Sequence, residues 1–363
     1  MLKLTLVSLV AAFGITNCYA NELPSELLKW QTLNKIPATS ISIYNGNNTY
    51  SAYSGNVVQG GKKITANNYF QVGSITKTFI AASILTLEQN GKLNINDPVG
   101  KYLKNYPRWS KITLRQLMNM SSGIYNYTDA FPILGLTQAQ QQKIYNPDEL
   151  LAIAYKHPEN FKAGSSWNYS NTNYVLLGII IEEITKQDLS ITLAEQFFEP
   201  LDLKHTEYVG TGFPSNTLKN LVHGYHDNKD VTNLNLSSYA AAGAIVSTSD
   251  DMSKWFKLLM SGQVLAKQQQ QELMTTIAIG NHPPKPNTAK FGLGIYEYNS
   301  PIYGKIWWYQ GVTEGYISFA GYLPNQEISF AILTDKRNSN NINYFMPNNQ
   351  LMQKLVPQII KIN

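Results

Sequence analysis

The chain has 363 residues, of which 15% are charged, and its formal net charge of +5 is spread along the sequence. A nucleic-acid-binding protein gathers lysines and arginines into a basic patch or stripe, so nucleic acid is not expected as a partner. The only cysteine is Cys18. Without disulfides the fold must rest on its hydrophobic core, which a chain of this length can build.

The N-terminus has the features of a secretory signal peptide spanning residues 1–20. A short basic start precedes an apolar run over residues 4–15 and small residues near a cleavage site, a pattern too short for a stable membrane anchor. We therefore expect a periplasmic or secreted protein, residues 21–363, with no transmembrane anchor after cleavage. Lipid attachment at Cys18 is the alternative, but Asn17 is bulkier and more polar than the residue expected before a lipidated cysteine.

Strands are predicted at both ends of the chain, with helices between them. A helix near 25–33 precedes strands at 39–44 and 49–53, and alternation puts Ile41 and Ile43 on one face. Helical periodicity predicts further helices at 74–89, 114–120, 147–155, 173–185 and 250–260. Strands return at 291–296, 305–309, 316–322 and 328–333, and a helix near 349–361 follows them.

This order predicts an α+β fold of the α/β sandwich type. One antiparallel sheet, built from the N- and C-terminal strands and flanked by helices, would be shared by the two ends of the chain. A mainly helical lobe would be inserted beside it. We expect one domain with a sheet lobe over about 21–73 and 286–363 and a helical lobe over about 74–285, because no linker-like or low-complexity segment divides the chain.

Ser74 and Lys77 form the only Ser-x-x-Lys in the sequence, at the predicted start of a helix. Residues three apart on a helix share a face, so the Lys77 amine can reach the Ser74 hydroxyl. A lysine activates a serine only if its pKa falls well below about 10.4, which burial can bring about. The alternative is a serine at a helix N-terminus with a solvated lysine.

Tyr169 and Asn171 are candidates for a second part of the same site. They precede the apolar helix at 173–185, where a phenol can relay a proton and an amide can bind an acyl-side carbonyl or the lysine ammonium. The alternative is a tyrosine packed under a loop, with Ser170 as a helix N-cap.

Together these elements resemble the serine β-lactamase and penicillin-binding protein superfamily, and within it the branch of class C β-lactamases and D-alanyl-D-alanine carboxypeptidases. The similarity extends over nearly all of the mature chain, including residues 91–103, 112–124 and 242–252, although Met120 stands where a histidine is usual. The resemblance implies the β-lactamase/transpeptidase-like fold and a hydrolase without a metal or other cofactor.

The resemblance also assigns roles to residues. Ser74 becomes the acylated nucleophile, Lys77 its base or proton partner, Tyr169 the second proton carrier and Asn171 a substrate-binding amide. Which of the lysine and the tyrosine acts as the base is disputed for this class of motif.

The main departure from the family lies in its third element, a strand with Lys-Thr-Gly or His-x-Gly. Its counterpart here is Tyr309-Gln310-Gly311, where a neutral tyrosine replaces a cation and Gln310 replaces a hydroxyl residue that touches a substrate carboxylate. Gly311 still allows close approach of the strand backbone to substrate. The N–H groups of Val312 and Ser74 are placed to form an oxyanion hole.

Three weaker signals remain open. Lys336 and Arg337 either restore a cation near the pocket or are surface charges. Trp307 and Trp308 either line an apolar pocket or pack the sheet. The His223-Gly224-Tyr225-His226 segment has metal-like spacing, but no carboxylate or thiol stands at a recognised distance, so we expect no metal site.

We therefore expect an exported serine hydrolase that forms an acyl-enzyme on Ser74. Its substrate would be a small molecule or peptide, first a D-alanyl stem peptide of peptidoglycan, with β-lactams less favoured because of Tyr309 and Gln310. A small-ester esterase of the same fold is one alternative. A pseudoenzyme that only binds peptidoglycan or a protein partner is another, although it would have no physical need for all of Ser74, Lys77, Tyr169 and Asn171.

Overall fold

The computed structural model describes residues 24–131, 138–279, 289–338, 343 and 345–362. The predicted signal peptide and Cys18 lie outside these residues. The α-helices of the described chain are α1 (Ser25–Leu33), α2 (Thr76–Gln89), α3 (Leu114–Met118), α4 (Tyr127–Ala130), α5 (Gln138–Gln142), α6 (Pro147–Tyr155), α7 (Asn171–Thr185), α8 (Leu189–Leu193), α9 (Ser215–Asn220), α10 (Ser249–Met260), α11 (Lys267–Leu273) and α12 (Gln350–Ile362). The strands are β1 (Thr39–Tyr44), β2 (Thr49–Ser54), β3 (Phe70–Gln71), β4 (Glu207–Tyr208), β5 (Tyr225–His226), β6 (Lys229–Asp230), β7 (Ile245–Ser247), β8 (Ile277–Ala278), β9 (Lys290–Phe291), β10 (Tyr296–Ser300), β11 (Gly304–Val312), β12 (Ile317–Leu323), β13 (Ile328–Thr334) and β14 (Lys336–Arg337).

One antiparallel sheet joins the two ends of the chain. Its order is β2-β1-β13-β12-β11-β10-β9-β8, and the first long strand pairs directly with the last, with Thr39 opposite Thr334. Two three-stranded sheets, β14-β5-β6 and β3-β7-β4, lie outside it. The predicted α+β class and the single sheet shared by both ends are confirmed. The division into two lobes stays a prediction.

The central strands β1, β12 and β13 are buried on both faces of the sheet, and the alternation of their side chains divides the core into two clusters. Ile328, Phe330 and Ile332 of β13 share a buried cluster with residues of α1 and α12. Ala331 and Leu333, which point the other way, belong to the larger cluster that contains α2, α7 and α10. Ile41 and Ile43 lie together in the first cluster, as their alternation predicts.

Local sequence signals fix several of the helix starts. Before α6, the Asn146 side chain accepts a hydrogen bond from Asp148 N, and the Glu149 carboxylate accepts one from the Asn146 N–H. Pro147 occupies the first helical position. Before α10, the Thr248 side chain accepts from Asp251 N. These caps place the helices that pack beside the sheet.

Several predicted boundaries are wrong by a few residues. The strand predicted at 291–296 is two strands, because Gly294 takes a positive φ of 79° and turns the chain between β9 and β10. The helix predicted at 114–120 ends at Met118, and Met120 has a φ of 64°. The helix predicted from residue 173 begins at Asn171.

No helix within the described ranges is both long enough and apolar enough to cross a membrane.

Candidate active site

Ser74 lies on a single 3-10 turn, Gly73–Ile75, that leads into α2. The chain enters this turn through Gly73, whose φ is +51°. A Cβ on Gly73 would also lie 2.8 Å from the backbone nitrogen of Val312. Glycine at this position therefore satisfies the backbone conformation and lets the serine turn lie against the end of β11.

Two side chains meet at the Ser74 hydroxyl. Lys77 Nζ lies 2.9 Å from Ser74 Oγ, and a hydrogen bond of 2.7 Å joins Ser74 Oγ to the Tyr169 hydroxyl. Lys77 Nζ also donates to the carbonyl of Ala242 at 2.6 Å. The spacing of three residues thus brings the lysine to the serine, and the loop before α7 brings the tyrosine to the other side.

Burial favours the uncharged forms of both Lys77 and Tyr169. Lys77 is fully buried, and burial lowers the pKa of its amine well below the ordinary value of 10.5. Burial raises the pKa of Tyr169 to about 12, although its contacts with Ser74 and Tyr309 oppose this shift. Burial thus favours the uncharged forms of the amine and the phenol that contact the serine, and an uncharged amine can accept the proton of the serine.

Asn171 occupies the first position of α7, close to the serine but with different partners from those expected. Its Nδ2 donates to Thr128 Oγ1 at 3.1 Å, and its backbone N–H donates to Asn126 Oδ1 at 3.0 Å. The hydrogen bonds of Lys77 Nζ go to Ser74 and Ala242 instead. The expected pair between the Lys77 amine and the Asn171 amide is therefore not formed in the described structure, since each group has other partners.

Gly311 lies against the segment that precedes the serine. A Cβ at this position would be 1.8 Å from the carbonyl oxygen of Val72 and 2.4 Å from Ser318 Oγ. Glycine is therefore required at this position by the contact between β11 and the backbone before Ser74. The sequence predicted a different reason, the close approach of substrate to the strand.

Tyr309 is buried, with 1% of its surface exposed, and packs against the rings of Phe291 and Tyr296. Its hydroxyl lies beside Tyr169 but forms no hydrogen bond of normal geometry with a described residue. Burial raises its pKa well above 10, so the group is neutral. Where the family carries a cation, this chain places an uncharged hydroxyl.

Ser74 lies in a cleft of about 1230 Å³ whose described walls are rich in aromatic rings. The lining rings are those of Phe131, Trp167, Tyr169, Tyr239, Tyr296, Tyr298, Trp308 and Tyr309. Trp308 stacks on Tyr296 with ring centroids 4.6 Å apart. Trp307 points to the opposite face of the sheet and is not among the described lining residues. One tryptophan of the pair thus lines the pocket, and the other packs the core.

Glu314 and Arg337 are the charged residues among the described lining of this cleft. The guanidinium of Arg337 forms an ion pair of 3.1 Å with the Glu314 carboxylate, which also accepts from the Tyr239 hydroxyl at 3.3 Å. Burial raises the pKa of Glu314, and the charge of Arg337 opposes the shift. Arg337 therefore does bring a cation to the pocket, but a carboxylate compensates its charge.

Lys336, by contrast, takes no part in lining this cleft in the described structure. Its Nζ donates to the backbone carbonyl of Lys35 at 3.4 Å and to Asn228 Oδ1 at 3.3 Å. Of the two basic residues that follow β13, Arg337 thus lines the cleft, and Lys336 forms hydrogen bonds with neighbouring loops outside it.

The two histidines of residues 223–226 have separate partners. His223 Nδ1 lies 2.7 Å from an oxygen of Asp230, and His226 Nδ1 lies 3.1 Å from the backbone carbonyl of Glu314. Among the residues that the structure describes, no group of three or more histidine, cysteine, aspartate or glutamate side chains is arranged to hold a metal ion.

Several residues at the site carry no signal in the sequence. Ala242 contributes a backbone carbonyl, for which residue type is uninformative. Glu314 and Arg337 are 23 residues apart and meet only through the fold. Glu314 could have been noticed as a charge between the glycines at 311 and 315, directly after the third element, but nothing indicated its partner.

Comparison with known proteins identifies the family. A family model described as Beta-lactamase matches residues 30–347, so the chain belongs to the β-lactamase family. The chain is similar to Protein flp of Staphylococcus aureus (strain MW2), with 25% identity over 315 residues that cover 83% of this chain and 60% of that protein. Penicillin-binding protein 4* of Bacillus subtilis (strain 168) is 24% identical over 270 residues, which cover 70% of this chain and 58% of that protein. The chain thus spans about three fifths of the length of these relatives.

Solved structures support the same fold. A D-stereospecific amidohydrolase from Streptomyces sp. superimposes with a TM-score of 0.75 at 30% identity, over 86% of this chain and 94% of that one. The D-amino acid amidase from Ochrobactrum anthropi SV3, complexed with L-phenylalanine amide, gives a TM-score of 0.79 at 23% identity, over 92% and 95% of the two chains. The second likeness shows the fold alone. The predicted β-lactamase/transpeptidase-like fold is confirmed.

Proposed function

We propose that the protein is a serine hydrolase that forms an acyl-enzyme on Ser74. The observation that carries the proposal is the double contact of Ser74 Oγ, at 2.9 Å from Lys77 Nζ and 2.7 Å from the Tyr169 hydroxyl. A serine needs an adjacent proton acceptor to become a nucleophile, and the buried lysine with its lowered pKa is one.

The chemistry follows from these contacts. Ser74 Oγ attacks the substrate carbonyl carbon while its proton passes to the Lys77 and Tyr169 pair. The bond to the leaving group then breaks, and the same pair returns a proton to that group. Water then attacks the ester carbon and loses a proton to the pair. The bond between the acyl carbon and Ser74 Oγ breaks, the pair returns the proton to Ser74 Oγ, and the acid is released. The backbone N–H groups of Ser74 and Val312 would stabilise the oxyanion, because Gly73 brings the two backbone segments together.

The substrate class we propose is an acyl compound with a D-configured residue next to the scissile bond, first of all a D-alanyl amide or a D-alanyl peptide without a free carboxylate on its leaving side. The D-stereospecific amidohydrolase, to which this chain is similar, supports the D configuration by its name, and the name of Penicillin-binding protein 4* supports a reactive acyl compound as ligand. Asn171 on the cleft wall would bind the acyl-side carbonyl. Export to the periplasm or the medium, proposed from the N-terminal sequence, would give access to peptidoglycan fragments.

The charges of the cleft favour substrates whose leaving side is uncharged. Tyr309 is neutral, burial disfavours the charged form of Lys77, and Arg337 is paired with Glu314, so a substrate carboxylate would meet no uncompensated cation among the described lining residues. Removing an unpaired carboxylate from water costs several kcal/mol in such surroundings. Amides and esters avoid this cost, which keeps small-ester hydrolysis as the second candidate and makes a free C-terminal acid a poor substrate.

The acyl-enzyme is tested by trapping. Purified protein is incubated separately with a fluorescent penicillin, a short-chain nitrophenyl ester and D-alanine amide, quenched in acid and digested for mass spectrometry. We expect an acyl mass on the peptide that contains Ser74, with burst kinetics wherever deacylation is slow. An absence of adduct and of turnover with all three reagents would leave the binding-only pseudoenzyme as the better account.

The preference for an uncharged leaving side has its own test. We expect wild-type kcat/KM to be about tenfold higher or more for N-acetyl-D-alanyl-D-alanine amide than for the corresponding free acid, a difference of about 1.4 kcal/mol. Glu314→Gln removes the carboxylate that compensates the charge of Arg337, and it should narrow this ratio by raising turnover of the acid. Tyr309→Phe, which adds no charge, should keep the ratio. A wild-type protein that prefers the acid would contradict the argument.

A further inference from the structure

Met120 holds the backbone on both sides of Tyr169. The N–H of Asn168, one residue before the tyrosine, donates to the Met120 carbonyl at 3.1 Å. The N–H of Ser170, one residue after it, donates to the Met120 sulfur at 3.4 Å. A single buried residue thus binds both peptide groups next to the phenol that contacts Ser74.

The same sulfur lies near the start of α7. Asn173 Nδ2 is 3.6 Å from Met120 Sδ and also donates to the carbonyl of Leu117 at 3.0 Å. Asn173 Oδ1 accepts from the Ser122 hydroxyl at 2.8 Å. The segment around Met120 is therefore joined to the segment around Tyr169 by several hydrogen bonds, with the sulfur at their centre.

The backbone of Met120 adopts a conformation that side chains rarely take. Its φ of 64° lies in the left-handed region, which is energetically costly for a residue with a side chain. The residue is also fully buried. In this conformation the carbonyl and the side chain of one residue both reach the chain around Tyr169. A methionine side chain is unbranched and polarisable, and its sulfur is a weak hydrogen-bond acceptor. It can therefore accept a hydrogen bond from the chain around Tyr169 without the cost of burying a charge.

We propose that Met120 is a positioning residue for Tyr169 and sets the distance between the phenol hydroxyl and Ser74 Oγ. The inference rests on the proposed function, in which that hydroxyl carries a proton to and from the serine. Met120 itself contacts neither Ser74 nor the cleft in the described structure, so it acts through the tyrosine.

Met120→Leu removes the sulfur acceptor at nearly constant volume and keeps the backbone carbonyl. We expect kcat to fall about tenfold, with KM changed less than about twofold, because a small misplacement of a proton carrier slows the chemical step and leaves binding intact. Met118→Leu, at another buried methionine of the same core cluster, is the matched control and should leave kcat within about twofold. Met120→His, which restores a ring nitrogen as acceptor, should recover most of the loss at pH 8, where imidazole is neutral.

A double-mutant cycle separates positioning from general structural support. In a Tyr169→Phe background, where no phenol remains to be placed, Met120→Leu should change the residual kcat less than about twofold. Equal losses in both backgrounds would overturn the proposal, as would a folded Met120→Leu protein with wild-type kcat. If Met120→Leu does not fold, the histidine variant decides, and a loss of more than about tenfold at pH 8 overturns the proposal. Wild-type turnover is measured in every experiment. An inactive wild-type protein would contradict the proposed function, whereas the outcomes above test only the role of Met120.

Discussion

Ser74→Ala is expected to lower kcat/KM by about 10⁴-fold or more, with no covalent adduct from a fluorescent penicillin. Removal of the nucleophile from a serine hydrolase costs rates of this order, and the remaining catalysis comes from binding and the oxyanion hole. The Ser74 hydroxyl is also the atom that both Lys77 and Tyr169 contact, so no other described serine can take over its position. Steady-state turnover of the D-alanyl amide and adduct formation measure the effect.

Ser83→Ala is the matched control for this experiment. Ser83 lies on α2, the helix that follows Ser74. It is fully buried, and its hydroxyl has no hydrogen-bond partner within the described structure. Its loss should therefore leave both activity and adduct formation unchanged. A Ser74→Ala protein that keeps more than about 1% of wild-type turnover would mean that another group is the nucleophile, and the proposed mechanism would have to be abandoned.

The parts of the site that could be predicted are those set by local spacing. Ser74 and Lys77 are three residues apart at a helix start, and helical geometry alone brings their side chains together. The strand at Thr39–Tyr44 follows from alternation, and its bounds are as predicted. In both cases the determining interactions lie within a few residues of each other, so a single stretch of sequence contains the information.

The parts that could not be predicted depend on contacts between distant segments. The electrostatic character of the cleft is set by the pairing of Glu314 with Arg337, which depends on how β14 and the turn after β11 meet. The partners of Lys77 include the carbonyl of Ala242, 165 residues further along the chain. Burial of Lys77, which lowers the pKa of its amine, likewise depends on the packing of the whole helical core. It could not be predicted from residues 74–77 alone.

The glycine of the third element shows how one residue type can be required for a reason that the sequence does not reveal. Glycine in a strand indicates close approach of something to the backbone, and substrate was the expected neighbour. In the structure the neighbour is the carbonyl of Val72, two residues before Ser74. The constraint is therefore on the assembly of the site itself, since β11 and the serine turn must touch.

Gly311→Ala is accordingly expected to damage both stability and catalysis. The added Cβ would lie 1.8 Å from the Val72 carbonyl oxygen, a backbone atom that cannot rotate away, so β11 and the serine turn must separate. Overpacking of this kind typically costs about 1–3 kcal/mol or more in the free energy of unfolding. Because Val312 and Ser74 lie on the two separating segments, displacement of their N–H groups by about 1 Å should lower kcat/KM by about 10²-fold.

Gly321→Ala on the neighbouring strand β12 is the control that isolates the cause. Its added Cβ would lie 2.9 Å from the end of the Ile306 side chain, which can change rotamer, so we expect a smaller loss of stability and near-normal kcat/KM. Urea unfolding and turnover of the D-alanyl amide measure the two effects. If Gly311→Ala instead unfolds like the control and keeps its activity, the contact between β11 and Val72 does not hold the site together. Loss of activity at full stability would show that residue 311 acts mainly where substrate approaches, as the sequence alone suggested.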